Sequence, residues 1–308
     1  MDLSNLSHIR TFSIHGILMN IKTNSIAAIE NLEQECGYFN VPFSEKADFT
    51  IYSVETPDCN RNADQNNKSF SYSIDAYTRF TVDIDNREAI LCSSHAGTLP
   101  FFLWQVFESL ILALLREKGM PCMHAAAIEK EGKGMLFPAM ICSGKTTLTI
   151  ELVRCGYRFL ADDLVFINDK LEALCFPARI GVTDYTQKRF ADIISTESLI
   201  SVPYSRKKYF RLDDIFPCSI ANRCKPEYIM FPFPGKETKF RKVAKADALV
   251  KLIPSMYNDN ELLGNYHRAT GFDKSAVFKR AADLIEATEQ FELTVGERGV
   301  WETINRLI

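Results

Sequence analysis

The chain of 308 residues lacks the cysteine patterns that mark a disulfide framework or a zinc site. Its nine cysteines form no CxxC pair and have no regular metal-ligand spacing. The count is odd, and the first residues, MDLSNLSHIR, lack the basic and apolar regions of a secretory signal. We therefore expect reduced thiols, a cytoplasmic location and no zinc.

The sequence also lacks a long apolar run and a charge excess of either sign. The longest apolar run, from Phe101 to Leu115, is interrupted by Gln105 and Glu108 and is shorter than the ~20 residues that a membrane span needs. It is interpreted as a buried core helix that Pro100 opens and Gly119 closes. The formal net charge of −3 gives no electrostatic reason to expect a nucleic acid or a membrane as partner.

The composition, with 46% hydrophobic and 24% charged residues, is that of a globular protein of one large or two smaller domains. Residues 1–98 are predicted to form a small α+β domain, dominated by antiparallel strands, with a helix from Ser25 to Phe39. The polar stretch from Cys59 to Lys68 is predicted to be a loop. The predicted strands of this domain lie at residues 10–23, 49–54, 70–74, 79–84 and 89–93.

Residues 99–308 are predicted to form a second domain, which carries the recognisable chemistry. Its most informative stretch runs from Met123 to Ile167, where a buried strand, GMLFP, precedes a loop and a helix that ends near Gly156. Further elements are predicted as helices at residues 246–256, 275–288 and 300–307 and a strand at residues 291–295.

The loop of this stretch carries a phosphate-loop pattern. Ala139 to Thr146, AMICSGKT, matches GxxxxGK[ST] at its last three positions. In such a loop, backbone N–H groups and the helix N-terminus surround an anion. Lys145 would then reach the β- and γ-phosphates, and the Thr146 hydroxyl would sit on magnesium.

Two loop positions depart from the usual pattern, because Ala139 and Cys142 stand where glycines are common. Glycine takes unusual backbone angles cheaply, so these residues weaken the expectation of a tight loop. The alternative interpretation is that GKT is a chance tripeptide at a helix start, where Ser143 or Thr146 only caps the helix.

An acidic pair and a histidine flank the loop. Asp162 and Asp163 follow RFLA, an apolar run predicted to lie beside the loop strand. Adjacent carboxylates on a strand point to opposite faces unless a bulge or a strand end turns them together. One would hold magnesium and the other would face the substrate, with a solvated strand end as the alternative. His124 begins the strand HAAAIE, and a lone histidine is as often structural as functional.

The order of these features resembles the catalytic domain of HPr kinase/phosphorylase and related proteins. In that family a strand with a histidine precedes a hairpin, a phosphate loop, a helix ending in glycine and a pair of aspartates. The matching pieces here are His124, Cys142 to Thr146, Val153 to Phe159 and Ala161 to Asp163. The glycine-rich second signature of the bifunctional enzymes is not visible after the aspartates, where FPARIGVTD stands.

The resemblance implies an α/β fold whose PEP-carboxykinase-like P-loop core has a mixed sheet and follows the small α+β domain. It also implies an ATP- and Mg²⁺-dependent kinase that phosphorylates a serine of a protein or peptide, for example a ribosomally made peptide precursor. Asp162 would be the general base, His124 would line the transfer site, and Thr146 and Asp163 would hold the metal. The phosphate-binding residues of the loop and helix would be Cys142, Ser143, Gly144, Lys145, Thr146 and Thr147.

Further positive charge for a phosphoryl group is predicted from Arg179 and from the basic run YSRKKYFR. That run contains Arg206 and Lys207, and Lys208 and Arg211 are its predicted nucleotide ligands. A solvated basic surface is the alternative for the run.

Two other functions stay open at this point. A binding or switch module would hold a nucleotide without transferring phosphate, and the missing loop glycines favour it. A small-molecule kinase on the same core is the other, because nothing in the sequence names the acceptor. Family members often assemble, so a homo-oligomer is a further expectation.

Overall fold

The computed structural model describes residues 5–56, 68–95, 97–138, 144–201, 205, 207–257, 260–296 and 299–307. The chain divides into two compact units. The first consists of Met1–Glu117 and Asp259–Phe272, and the second of Lys118–Asn258 and Asp273–Ile308. The observed division after Glu117 differs from the predicted boundary after residue 98, because the intervening helix packs within the first unit.

The first unit contains a mixed sheet of seven strands in its described part. The strands are β1 (His8–Ile14), β2 (Ile17–Thr23), β3 (Asn40–Val41), β4 (Phe49–Glu55), β5 (Ser69–Ser73), β6 (Thr78–Asp83) and β7 (Glu88–Ser93). Their order is β3-β1-β2-β4-β7-β6-β5. The pairs β2–β4 and β4–β7 are parallel and the other four pairs are antiparallel, so antiparallel pairing dominates as the sequence predicts. The predicted strands are confirmed, whereas most of the predicted polar loop lies outside the described residues.

Three helices in the described part of this unit pack with the sheet or with one another: α1 (Ile26–Cys36), α2 (Leu99–Glu117) and α7 (Glu261–Thr270). By length and composition alone α2 is apolar enough to cross a membrane, but 67% of its most apolar stretch is buried. Leu103, Phe107 and Leu110 are fully buried. The interpretation of α2 as a core helix is confirmed.

The second unit is built on a mixed sheet of seven strands among the described residues. The strands are β8 (Cys122–Lys130), β9 (Lys133–Pro138), β10 (Arg158–Ile167), β11 (Ala173–Leu174), β15 (Arg223–Pro234), β16 (Lys239–Lys242) and β17 (Glu289–Val295). Their order is β11-β10-β8-β9-β15-β17-β16. The pairs β9–β15 and β15–β17 are parallel, and β8 is antiparallel to both of its neighbours. The predicted α/β class with a mixed sheet is confirmed.

A second, small sheet lies in the same unit and consists of β12 (Ile180–Val182), β14 (Lys208–Phe210) and β13 (Ile200–Ser201) in that order. The helices of the unit are α3 (Lys145–Arg154), α4 (Asp184–Arg189), α5 (Leu212–Ile215), α6 (Lys245–Met256), α8 (Ser275–Ala287) and α9 (Val300–Ile304). The predicted helices at 246–256 and 275–288 and the predicted strand at 291–295 are confirmed, and the last helix ends earlier than predicted.

Helix α3 is held on two sides, which fixes the position of its N-terminus. Leu148 and Leu152 pack into the core of the main sheet. Ile150 and Val153 pack into a second cluster that includes Phe210 of the small sheet. Because apolar residues occur on both sides of α3, the helix is anchored between the two sheets.

The pairing of β9 with β15 depends on Gly134. A Cβ atom at this position would lie 2.5 Å from Cys224 Sγ and 2.8 Å from the carbonyl oxygen of Lys225. Because backbone cannot move aside as a flexible side chain can, Gly134→Ala is expected to lower the free energy of unfolding by about 1–3 kcal/mol. Urea unfolding followed by circular dichroism measures this loss.

The same substitution at Gly264 in α7 is the matched control. The nearest atom to a Cβ there would be Arg268 Nη1 at 3.8 Å. Because alanine is the better helix former, Gly264→Ala is expected to be neutral or to stabilise by about 0.5–1 kcal/mol. Equal effects of the two substitutions would contradict the close approach at Gly134.

Candidate active site

Helix α3 begins directly after a glycine in a left-handed conformation. Gly144 is the N-cap residue, with φ 88° and ψ 12°, a left-handed conformation that glycine adopts at little cost. Lys145 and Thr146 follow in the first turn, and Lys145 is only 6% exposed. Cys142 and Ser143, predicted to bind phosphate, lie outside the described residues.

Lys145 meets His124 across the site. The Lys145 ammonium donates to His124 Nε2 at 3.1 Å, because an ammonium can only donate. Burial, and then the charge of Lys145, lowers the pKa of His124. The imidazole is therefore neutral near pH 7, and its Nε2 is an acceptor.

Thr146 meets the first aspartate of the pair. Its hydroxyl donates to Asp162 Oδ2 at 2.7 Å. Burial and the neighbouring charge of Asp163 raise the pKa of Asp162 to about 7, although Thr146 and Lys145 act in the opposite direction. Asp162 Oδ1 is buried and has no hydrogen-bond partner among the described residues.

Asp163 reaches the same group because the backbone of β10 is irregular. In the register with β8, Asp162 lies opposite Ala126 and Asp163 opposite Ala125, so a regular strand would place them on opposite faces. Asp163 has φ 102°, and its Oδ1 lies 3.8 Å from His124 Nε2. A sparsely populated conformation of this kind costs about 1–3 kcal/mol in a non-glycine residue, and such residues cluster at functional sites.

A register shift between Phe159 and Ala161 adds one residue, Leu160, to β10 just before the pair. Bulges of this kind re-aim side chains next to active sites. The bulge and the positive φ together turn both carboxylates toward one site. Adjacent carboxylates on a strand were expected to do so only where the strand is irregular.

Thr147, also predicted to bind the cofactor, is used in packing. Its Oγ1 lies 3.2 Å from Thr186 Oγ1 of α4. The N-cap of α4 is Thr183, whose side chain accepts from the amide of Thr186. This contact joins the start of α3 to α4.

The three predicted cations outside the loop have other surroundings. Arg211 donates two hydrogen bonds to Asp213, at 3.2 and 2.7 Å. Arg179 is buried, and its guanidinium carbon lies 5.5 Å from the centre of the Tyr209 ring. Lys208 is half-buried in β14 opposite Val182. The structure thus brings together His124, Lys145, Thr146, Asp162 and Asp163, and it commits Arg211 to Asp213.

Lys207 was predicted as a possible source of positive charge, together with the rest of its basic run, but not as a nucleotide ligand. Its charge acts on both His124 and Asp162, although burial is the main cause of each pKa shift. The basic run YSRKKYFR was the available signal, but it could not say which of its residues faces the site.

The oxygen atoms of the group suit magnesium. No cluster of three or more His, Cys, Asp or Glu residues fit for a metal occurs in the described part of the chain. Mg²⁺, however, is usually held by one or two carboxylates together with phosphate oxygens and waters. The unsatisfied, buried Oδ1 of Asp162 beside the Thr146 hydroxyl fits such a site.

The fold and the site together have the features of the P-loop class of proteins. A buried lysine and a threonine begin a helix that follows a strand of a mixed sheet. An aspartate from another strand of that sheet meets the threonine. This arrangement is the one that P-loop proteins use to hold nucleotide phosphates and a metal ion.

Comparison with known proteins gives a specific relative. The chain is 30% identical over 105 residues to HPr kinase/phosphorylase from Geobacter sulfurreducens, a match that covers 33% of this chain and 33% of that protein. The chain thus matches about a third of the length of its curated relative. The resemblance to HPr kinase/phosphorylase is confirmed over this part of the chain. No protein-family model matches the sequence.

A solved structure gives a looser comparison. The Hpr(Ser) kinase/phosphatase from Coxiella burnetii aligns with 51% of this chain and 97% of its own, at 14% identity and a TM-score of 0.27.

Proposed function

We propose that this chain is a kinase of the HPr kinase-like type, which transfers the γ-phosphoryl group of ATP to a serine hydroxyl of a protein or peptide. The observation that carries the proposal is the convergence of Lys145, His124, Thr146 and both aspartates at the start of α3. The partial similarity to HPr kinase/phosphorylase supports the same chemistry. It also supports our proposals of a cytoplasmic location and self-assembly.

Lys145 and the start of α3 supply the positive charge that the reaction needs. In the loose transition state of phosphoryl transfer, negative charge spreads over the equatorial oxygens of the transferred group. Because Lys145 is largely buried, its ammonium acts on this charge with little screening by water. In our proposal Lys145 exchanges its hydrogen bond to His124 for the phosphate oxygens.

Thr146 and Asp162 are the residues that we propose to hold Mg²⁺. When bound, the metal would neutralise charge on the phosphate oxygens. Sequence reasoning gave this role to Asp163 and the role of base to Asp162. The contacts favour the exchange of the two roles, because Asp162 is hydrogen-bonded to Thr146 and has a buried free oxygen.

Asp163 is then our candidate for the general base. Its side chain is 53% exposed and so is open to an incoming hydroxyl, and it lies beside His124, 22% exposed. The carboxylate would take the proton of the serine hydroxyl late in the transfer, which does not demand a high pKa. His124 would line the transfer site beside this carboxylate.

The assignment of Asp162 is tested by the binding of a fluorescent ATP analogue with and without Mg²⁺. Asp162→Asn keeps the size of the side chain and removes its charge. It is expected to reduce the gain in affinity that Mg²⁺ gives to the wild type by about 10-fold or more. Asp169→Asn, at an exposed turn after β10, is the control and is expected to keep the whole gain. An unchanged Mg²⁺ effect in Asp162→Asn would remove Asp162 from the metal site.

The transfer itself is tested with γ-labelled ATP, Mg²⁺ and a pool of serine-containing peptides. The proposed function predicts label in peptide. A nucleotide-binding module is the second candidate, favoured by Ala139 and Cys142 in place of loop glycines. That candidate predicts tight nucleotide binding with no label in any peptide.

A further inference from the structure

Lys207 lies where a glycine makes room for its side chain. Gly181 of β12 pairs with Tyr209 of β14. A Cβ atom at Gly181 would lie 2.9 Å from Lys207 Cδ and 3.0 Å from Tyr209 Cε1. The aliphatic part of Lys207 therefore crosses the small sheet at the one position of β12 that has no side chain.

The backbone of Lys207 is held by a short network. Its amide donates to Ser205 Oγ at 3.1 Å. The same Ser205 oxygen lies 2.9 Å from the Tyr209 hydroxyl, and the guanidinium of Arg179 lies over the Tyr209 ring. The backbone of Lys207 is thus fixed, whereas the residue is exposed.

The small sheet, whose strand β14 begins directly after Lys207, is packed against α3. Ile180 and Val182 of β12 lie in one apolar cluster with Ile150 and Val153 of α3. The segment that follows β12 also meets the start of α3, because Thr186 of α4 lies 3.2 Å from Thr147 in the first turn of α3. No carboxylate in the described part of the chain forms an ion pair with Lys207. Its ammonium is therefore available to an anion bound at the start of α3.

We propose that Lys207 is a second catalytic cation beside Lys145, and that Gly181 is the positioning residue that lets it reach the transferred phosphoryl group. This inference rests on the proposed function. In the transfer, the serine oxygen forms a bond to the γ-phosphorus while the bond to the leaving ADP oxygen breaks. Asp163 takes the serine proton, and the Lys207 ammonium donates to the oxygens of the phosphoryl group during its transfer.

The test compares Lys207→Ala with Lys207→Arg in peptide transfer and in ADP binding. Lys207→Ala is expected to lower kcat about 100-fold, the effect typical of one lost transition-state donor. Its Kd for ADP is expected to stay within about twofold of wild type, because ADP lacks the transferred group. Lys207→Arg keeps the charge and is expected to recover about a tenth or more of the lost activity. The control is Lys188→Ala, at an exposed position of α4, with unchanged kcat.

Gly181→Ala tests the positioning role separately. The added methyl group displaces the lysine, so this variant is expected to lower kcat about 10-fold or more. The double variant Gly181→Ala with Lys207→Ala is expected to be no slower than Lys207→Ala alone, because both changes remove one interaction. Multiplied losses in the double variant would overturn the role of Gly181.

The outcomes separate this inference from the proposed function. Wild-type transfer with an unchanged kcat in Lys207→Ala overturns the role of Lys207 and leaves the kinase intact. An equal loss of ADP affinity and of kcat also overturns this role. Lys207 would then contact the part of the nucleotide that ADP shares with ATP, and not only the transferred phosphoryl group. An inactive wild type that binds ATP overturns the proposed function together with this inference.

Discussion

Lys145→Met is expected to lower phosphoryl transfer at least about 1000-fold, because it removes the cation that faces the transferred phosphoryl group. Methionine keeps an apolar side chain of similar length and removes the ammonium that lies 3.1 Å from His124 Nε2. Because Lys145 is the buried cation of the site, a cation from the solvent cannot take the position of the lost ammonium. The initial rate of label transfer from ATP to peptide measures the loss.

Lys170→Ala is the control for this substitution, since Lys170 is exposed in the turn after β10. It is expected to leave the transfer rate within about twofold of wild type, because substitutions at exposed positions usually change stability little. A Lys145→Met variant that folds and transfers phosphate at the wild-type rate would contradict a phosphate-loop role for Lys145.

Asp163→Asn is expected to lower kcat about 100- to 10,000-fold, while ATP binding in the presence of Mg²⁺ changes little. The asparagine side chain has the same shape and cannot take the serine proton. Rapid-quench measurement of the transfer step, with ATP saturating, separates this loss from product release.

The comparison with Asp162→Asn makes the assignment of Asp163 specific. In our proposal Asp162→Asn weakens the Mg²⁺-dependent binding, whereas Asp163→Asn spares it. If instead Asp163→Asn abolishes the Mg²⁺ effect and Asp162→Asn spares binding, the roles are those that the sequence alone suggested.

The elements with strong local patterns were predictable from the sequence. Helix α2 is a single long apolar segment, and the hairpin of β1 and β2 turns at His15 and Gly16, both with positive φ. Helix α7 was not predicted. Its buried residues Leu262, Leu263 and Tyr266 pack within the first unit, where the partner helix α2 is far away in sequence. Its amphipathic pattern is short and interrupted by Gly264.

The site was predictable in its members but not in its geometry. The GKT tripeptide and the following helix identified Lys145 and Thr146, because the chemistry depends on consecutive residues. The side chains of Asp162 and Asp163 face the same site because of the bulge at Leu160 and the positive φ of Asp163. Alternation along a strand predicts neither feature, so the assignment of roles needed the contacts.

The choice among the basic residues also needed long-range structure. The run that contains Lys207, Lys208 and Arg211 has no internal feature that separates its members. Arg211 is taken by Asp213, two residues on. Lys207 is set apart by Gly181, which is 26 positions earlier in the numbering of the chain and meets it only through the small sheet.

Intact-mass spectrometry of a serine peptide, incubated with the wild-type chain, ATP and Mg²⁺, tests the central claim most directly. The peptide is one that became labelled in the pooled assay. The control is the same peptide with its serine changed to alanine. Our account predicts a gain of one phosphate group on the serine peptide, none on the alanine peptide, and none with Lys145→Met. A chain that binds ATP and Mg²⁺ but labels no peptide, or that labels the alanine peptide equally, would contradict a serine kinase.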